Sequence, residues 1–170
     1  MIGIRFRPSA IAAFTKVSIS EFTDNMIDAR LFESLFDDFN YEMLSEPMSE
    51  LEQIASIDSY ISRKLNRLYP VNGQIVKVVA YIKETKGMIP INELLNDVCL
   101  CQRQFERQFK SLTGVTPKMF SAITRYIHTK KYLKLNSDKS LFSIAFDCGF
   151  YDHAHLIRDF RRFGGTLPKH

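Results

Sequence analysis

The sequence predicts a nearly all-α protein, with two helix-turn-helix units joined by one long helix and preceded by a small, mostly helical region. Three observations predict it. Apolar residues recur at steps of three and four along most of the chain. A block in the C-terminal half repeats at a fixed offset of 51 positions. Few segments alternate as a strand would.

The elements follow in order. Ile2-Gly3-Ile4-Arg5-Phe6 alternates and suits a short strand. Pro8 and Ser9 open a helical run through Phe14. From Ala29 to Phe39, Leu31, Phe32, Leu35, Phe36 and Phe39 share one broad helical face. Pro47 starts a longer amphipathic helix in which Leu51, Ile54, Ile57, Ile61, Leu65 and Leu68 recur at helical steps, ending at Pro70. Val71-Asn72-Gly73 is the linker. Beyond it six helices are expected, over roughly 74–86, 91–98, 102–113, 118–135, 141–148 and 153–163. Lys86-Gly87 ends the first of these and Gly114 the third, Thr116-Pro117 caps and opens the fourth, and Ser137-Asp138 separates the fourth from the fifth.

Charge divides at the same linker. Residues 1–72 carry 7 basic and 11 acidic groups, a net of −4, whereas residues 73–170 carry 16 basic and 8 acidic groups, a net of +8. The basic part is the electrostatic candidate for nucleic acid. No stretch approaches the roughly 20 apolar residues that span a bilayer, so no membrane partner is expected, and no apolar signal-peptide core is visible. Three cysteines, Cys99, Cys101 and Cys148, do not make a disulfide framework. A reducing cytoplasm is the simplest setting, and no cofactor is expected.

The repeat carries the functional argument. Phe105, Arg107, Phe109, Lys110, Gly114 and Pro117 recur as Leu156, Arg158, Phe160, Arg161, Gly165 and Pro168. Each copy reads as short helix, tight turn, second helix. At 100° per residue, Phe105, Phe109 and Leu112 fall on one face of the first copy, with Arg103, Arg107 and Lys110 opposite. In the second copy Leu156, Phe160 and Phe163 form the inner stripe, with Ala154, Arg158 and Arg161 opposite. One basic stripe is an ordinary wet surface. The same stripe twice, in the same frame, is what a pair of major-groove readers requires, because Arg bonds guanine O6 and N7 together and flanking cations fix register on phosphates. The connecting helix, Lys118 to Leu135, is 18 residues, or about 27 Å. Such a rod suits two helices entering successive grooves about 34 Å apart.

The run from Ser143-Ile144-Ala145-Phe146-Asp147-Cys148-Gly149-Phe150 through Arg158-Asp159-Phe160 to Gly165-Thr166-Leu167-Pro168 resembles the signature of AraC/XylS-type transcription regulators. Gln104 to Lys110, Gly114-Val115-Thr116-Pro117 and Arg125 resemble the first half of that domain. The resemblance covers Gln74 onward. It implies a two-lobed, seven-helix domain that binds double-stranded promoter DNA and usually activates transcription, with RNA polymerase as a partner. It places Arg103, Glu106 and Arg107 at the first base-reading positions, and His153, Ala154 and Arg158 at the second. Lys110, Arg125 and Arg161 fall where phosphate contact or helix anchoring is expected, and Gln102, Lys118 and Tyr151 are assigned to the DNA backbone with them.

There are departures. Cys99 stands at the family's turn glycine in the first unit and Cys101 at its capping Ser or Thr, whereas the second unit keeps Gly149 and has Asp152 as an N-cap. Thr129 stands where alanine is common. Pro168 should open a seventh helix, and the sequence ends at His170, which suggests a shortened chain. Gly3 to Pro8 with the helices after it resembles the late part of an N-terminal sensor domain. Residues 1–72 would then be a partial sensor or dimerisation region, giving a homodimer and, in a complete protein, a small-molecule effector. The alternative is a small helical cap on the basic half.

Other motifs are weaker. Cys99-x-Cys101 lacks the further ligands a zinc site needs and reads as a packed turn. In His153-x-His155 the second histidine packs or caps while the first reaches DNA. His128 and His170 carry no pattern. Asp37-Asp38 reads as a solvated face. There is no G-x-x-x-x-G-K, nucleophile elbow or H-E-x-x-H, and residues 1–98 hold no cysteine for a methyl-acceptor role, so no enzyme is expected. The rival to a DNA-binding regulator is a protein-interaction module that dimerises through its N-terminal helices and contacts DNA degenerately.

Overall fold

The computed structural model describes residues 4–26, 36, 38–39, 48–96 and 98–166. Contacts divide the chain into two compact units, one of residues 1–72 with 110–114 and one of residues 73–109 with 115–170. Among the described residues there are seven α-helices and no strand.

In the N-terminal unit, Ile4 to Phe6 form no strand. Phe6 instead lays its ring against Phe14 at 5.8 Å, inside a small apolar cluster with Ile11, Phe22, Phe36 and Ile61. Among the described residues no strand is present for this alternating stretch to pair with, and its aromatic packs into the cluster instead. The helical run after Pro8 is a turn followed by a single 3-10 turn, Ile11–Phe14. Most of Ala29–Phe39 lies outside the described residues.

Helix α1 is Glu50–Lys64, extended by a 3-10 turn, Leu65–Arg67. Ser49 starts it with a capping box. Its backbone N–H donates to Glu52 Oε2 at 2.8 Å, and its hydroxyl accepts from the Glu52 N–H at 3.4 Å. The Ser49 hydrogen bonds hold the Glu52 carboxyl below its ordinary value. The inward face of α1 is Ile57, Tyr60 and Lys64, whereas Leu51, Ile54, Leu65 and Leu68 of the expected apolar stripe are exposed. The buried Lys64 ammonium meets Asp38 at 2.6 Å, and the Tyr60 hydroxyl donates to the same carboxylate at 2.6 Å. Asp38 is therefore not merely a solvated carboxylate. Burial, helped by Asp38, pushes the Tyr60 hydroxyl up to about 12.

Six helices follow from Gly73 onward, in the second unit except for the last turn of the third: α2 Gly73–Glu84, α3 Ile91–Leu94, α4 Gln102–Thr113, α5 Pro117–Leu135, α6 Leu141–Asp147 and α7 His153–Gly164. Five match the sequence reading within two residues. The exception is α3, which was expected to reach Val98 and ends at Leu94. Asn96, Val98 and Cys99 are weak helix formers, and a turn and bend carry the chain on while keeping Val98 buried.

The long helix α5 organises two cores. Near its start Phe120 meets Phe109 edge-on at 5.6 Å; Phe105, Phe109, Leu94, Val98 and the α2 residues Ile75, Val78, Val79 and Ile82 are all buried. Its later turns supply Tyr126 and Leu133 to a second core with Ile144, Ala145, Cys148, Phe150, Leu156 and Phe160. Thr129, fully buried where alanine would suffice, bonds its hydroxyl back to the Arg125 carbonyl at 2.8 Å, so the extra oxygen is not orphaned. Lys139 ties the α5–α6 turn down, bonding both the Tyr132 hydroxyl and Asp147 at 2.8 Å.

Candidate nucleic-acid interface

Each helix-turn-helix unit presents its second helix by local chemistry. Asp152 caps α7, its Oδ1 accepting from the His155 N–H at 2.6 Å, and Gly149 makes the turn before it at φ +72°. The α4 start is weaker. Cys101 contributes its carbonyl to the Phe105 N–H at 2.9 Å, and its own N–H donates to Gln104 Oε1 at 3.3 Å. Replacing Asp152 with Ala should cost about 1 kcal/mol of stability, read as a lower unfolding midpoint, and an unchanged midpoint would contradict the cap.

On α4 the rings of Phe105 and Phe109 are fully buried, 5.8 Å apart, while Gln102, Arg103, Glu106, Arg107 and Lys110 are exposed. On α7, Leu156 and Phe160 are buried, while His153, Ala154, Arg158 and Arg161 are exposed. Arg103, Arg107, Lys110, Arg158 and Arg161 make no ion pair among the described residues. Their charge is available to an outside partner. Glu106 accepts from Gln102 Nε2 at 3.1 Å, which holds an acceptor ready on the same face. Lys118 is exposed at the start of α5, and Tyr151 is 95% exposed in the second turn.

Arg125 is placed differently. Its side chain is only 15% exposed, its guanidinium stacks on the Phe150 ring at 4.7 Å, and it faces Asp159 on α7 at 3.7 Å. Of the two roles left open by sequence, this is the geometry of an anchor. His155 joins the same cluster, edge-on to Phe150 at 5.3 Å and 3.8 Å from Asp159, so it packs while His153 stays outside. Asp159 escaped the sequence reading. It sits between Leu156 and Phe160 in the inner stripe at helical spacing, and a carboxylate there was the available signal. Arg162, also unassigned, is exposed and lies over Phe163 at 5.2 Å.

Cys99 and Cys101 are both exposed, which corrects the packed-turn reading. Cys148 is buried, and burial pushes its thiol up. Among the described residues no three His, Cys, Asp or Glu side chains gather to hold a metal, and no helix is long and apolar enough to cross a membrane.

The family model described as a helix-turn-helix domain matches residues 94–170, from the end of α3 onward. The match accords with the AraC-type resemblance of the sequence. The chain is similar to the HTH-type transcriptional activator RhaS of Escherichia fergusonii, 39% identical over 70 residues, covering 41% of this chain and 25% of the relative. It is also similar to the HTH-type transcriptional regulator ArgR of Pseudomonas aeruginosa, 30% identical over 105 residues, covering 61% of this chain and 32% of the relative. A probable transcriptional regulator of Photobacterium leiognathi, LumQ, is 28% identical over 130 residues, covering 74% of this chain and 50% of the relative. These alignments span between a quarter and a half of the relatives' length. No solved structure matches the chain.

Proposed function

We propose that the chain is a sequence-specific DNA-binding transcription regulator that acts as an activator by inserting α4 and α7 into successive major grooves of promoter DNA. The observation that carries this reading is the doubled stripe of solvent-facing cations on helices whose opposite faces are buried. Arg103, Glu106 and Arg107 read bases from α4; His153, Ala154 and Arg158 read them from α7. Gln102, Lys110, Lys118, Tyr151 and Arg161 contact phosphates, and Arg125 holds α7 in place from behind. The activator sense is supported by the similarity to RhaS, a transcriptional activator, and RNA polymerase is the expected partner. A cytoplasmic location accords with this reading.

Selection of bound sites from a random duplex pool, followed by mobility shifts on the enriched site, tests it. An enriched site with two half-elements about one helical turn apart is expected; a pool that stays random overturns it. Lys110→Ala should weaken specific and random DNA alike and reduce the slope of log affinity against log salt by about 0.9. An unchanged salt slope would remove Lys110 from the phosphate contacts.

A second reading has one observation behind it. Leu51 and Ile54 on α1, with Leu65 and Leu68 in the segment after it, leave apolar side chains exposed, which favours self-association through residues 1–72. A homodimer of this kind would pair two DNA-binding regions, and a small-molecule effector would act through the dimerising region. Sedimentation of the chain, with and without Leu51→Glu, separates dimer from monomer.

A further inference from the structure

Of the three thiols, one is buried at 0% exposure and two are exposed. Cysteine is among the most buried residue types, so two exposed thiols within three residues stand out. The two exposed thiols are separated by a single residue, Leu100, in a bend that runs from Val98 to Leu100. Two Cα–Cα steps of about 3.8 Å limit their Cα separation to about 7.6 Å. The bend shortens it further, toward the window of about 4.4–6.8 Å in which a disulfide closes. The pair also stands at a mechanically sensitive place. Cys101 is the residue before α4, and its carbonyl and N–H make the Phe105 and Gln104 bonds that start that helix. The Cys101 side chain carries no oxygen with which to cap α4, as Asp152 caps α7.

We propose that Cys99 and Cys101 form a reversible dithiol–disulfide switch that loosens the first turn of α4 when oxidised by a hydroperoxide. One thiolate attacks a peroxide oxygen; the O–O bond breaks, leaving a sulfenic acid and releasing an alcohol or water. The second thiolate attacks the sulfenic sulfur; the S–S bond forms, and hydroxide leaves to be protonated to water. Two thiols lose two electrons and two protons in all, and the peroxide accepts them. A small thiol reverses the change by exchange. Ring closure turns the Cys101 backbone and breaks the bonds that start α4, which carries Gln102, Arg103 and Glu106. Cys148, in the core, is spared. The effect on DNA rests on the function proposed above; the switch itself does not.

The test uses the full chain, reduced and then exposed to hydrogen peroxide. The tryptic peptide Gly87–Arg103 carries both thiols and should lose two hydrogen atoms in mass, while the peptide containing Cys148 keeps its free thiol. Amide exchange over Gln102–Arg107 should speed by about tenfold or more, the loss of roughly one capping interaction's worth or more, and return with dithiothreitol. Cys99→Ser and Cys101→Ser should each abolish both changes, the latter also supplying a capping hydroxyl. Free thiols after treatment, crosslinks only between chains, or a disulfide with unchanged amide exchange would each overturn the proposal. Neither readout involves DNA, so a failure of DNA binding is seen separately. If DNA binding holds, oxidation should lower affinity for the enriched site by about tenfold, the loss of one good bidentate contact.

Discussion

Replacing Arg107 and Arg158 together with alanine should weaken binding to the enriched DNA site by about 2–6 kcal/mol. A bidentate arginine–guanine contact discriminates by about 1–3 kcal/mol. The two residues lie on separate helices and share no partner, so their losses should add within a few tenths of a kcal/mol. Both side chains are exposed and unpaired by any described carboxylate. Their removal therefore leaves the cores under α4 and α7 intact, and the unfolding midpoint should stay where it is. Mobility shifts on the enriched site and on random duplex decide the matter. The specific affinity should fall much more than the random one. A double variant that loses both equally makes these residues phosphate contacts, and one that loses neither removes paired groove reading altogether.

The basic half was legible in the sequence because its signals are local. Thr116 before Pro117 and Asp152 before α7 are side-chain caps, and each accepts the hydrogen bond its position promises. Periodicity likewise separated Phe105, Phe109, Leu156 and Phe160 from the cationic face. What periodicity cannot report is who stands opposite. Lys64 sits on the inner face of α1 because Asp38, far along the chain, neutralises it. Asp159 is tolerated in the stripe of α7 because Arg125 and His155 face it. The exposure of Leu51 and Ile54 has the same origin: a helix shows which residues share a face, while the neighbours decide which part of that face is covered. The two surface cysteines were misread for a related reason. Cysteine's usual burial argues for a packed turn, and only the path of the bend after α3 turns them outward.

Gly87→Ala should destabilise the second compact unit by about 2–5 kcal/mol. Gly87 follows α2 at φ +73°, after Lys86 at φ +57°. A methyl group there would lie 2.2 Å from the Ser121 carbonyl oxygen and 2.9 Å from the Arg125 nitrogen. Both are backbone atoms inside α5, so no rotamer change relieves the overlap; the turn or the helix has to move. That overpacking costs about 1–3 kcal/mol, on top of about 1–2 kcal/mol for an alanine in the left-handed region. For a domain near 100 residues the total corresponds to a fall of about 8–40 °C in unfolding midpoint. Gly165 supplies the control. It has nearly the same conformation, φ +66°, but nothing lies within 4 Å of its missing Cβ. Gly165→Ala should then cost only the conformational part, about 1–2 kcal/mol. Thermal unfolding of the two variants side by side separates strain from contact. Equal losses would mean that the α2–α3 turn does not lie against the α5 backbone, and with it would go the anchoring of the first helix-turn-helix unit on the rod that spaces it from the second.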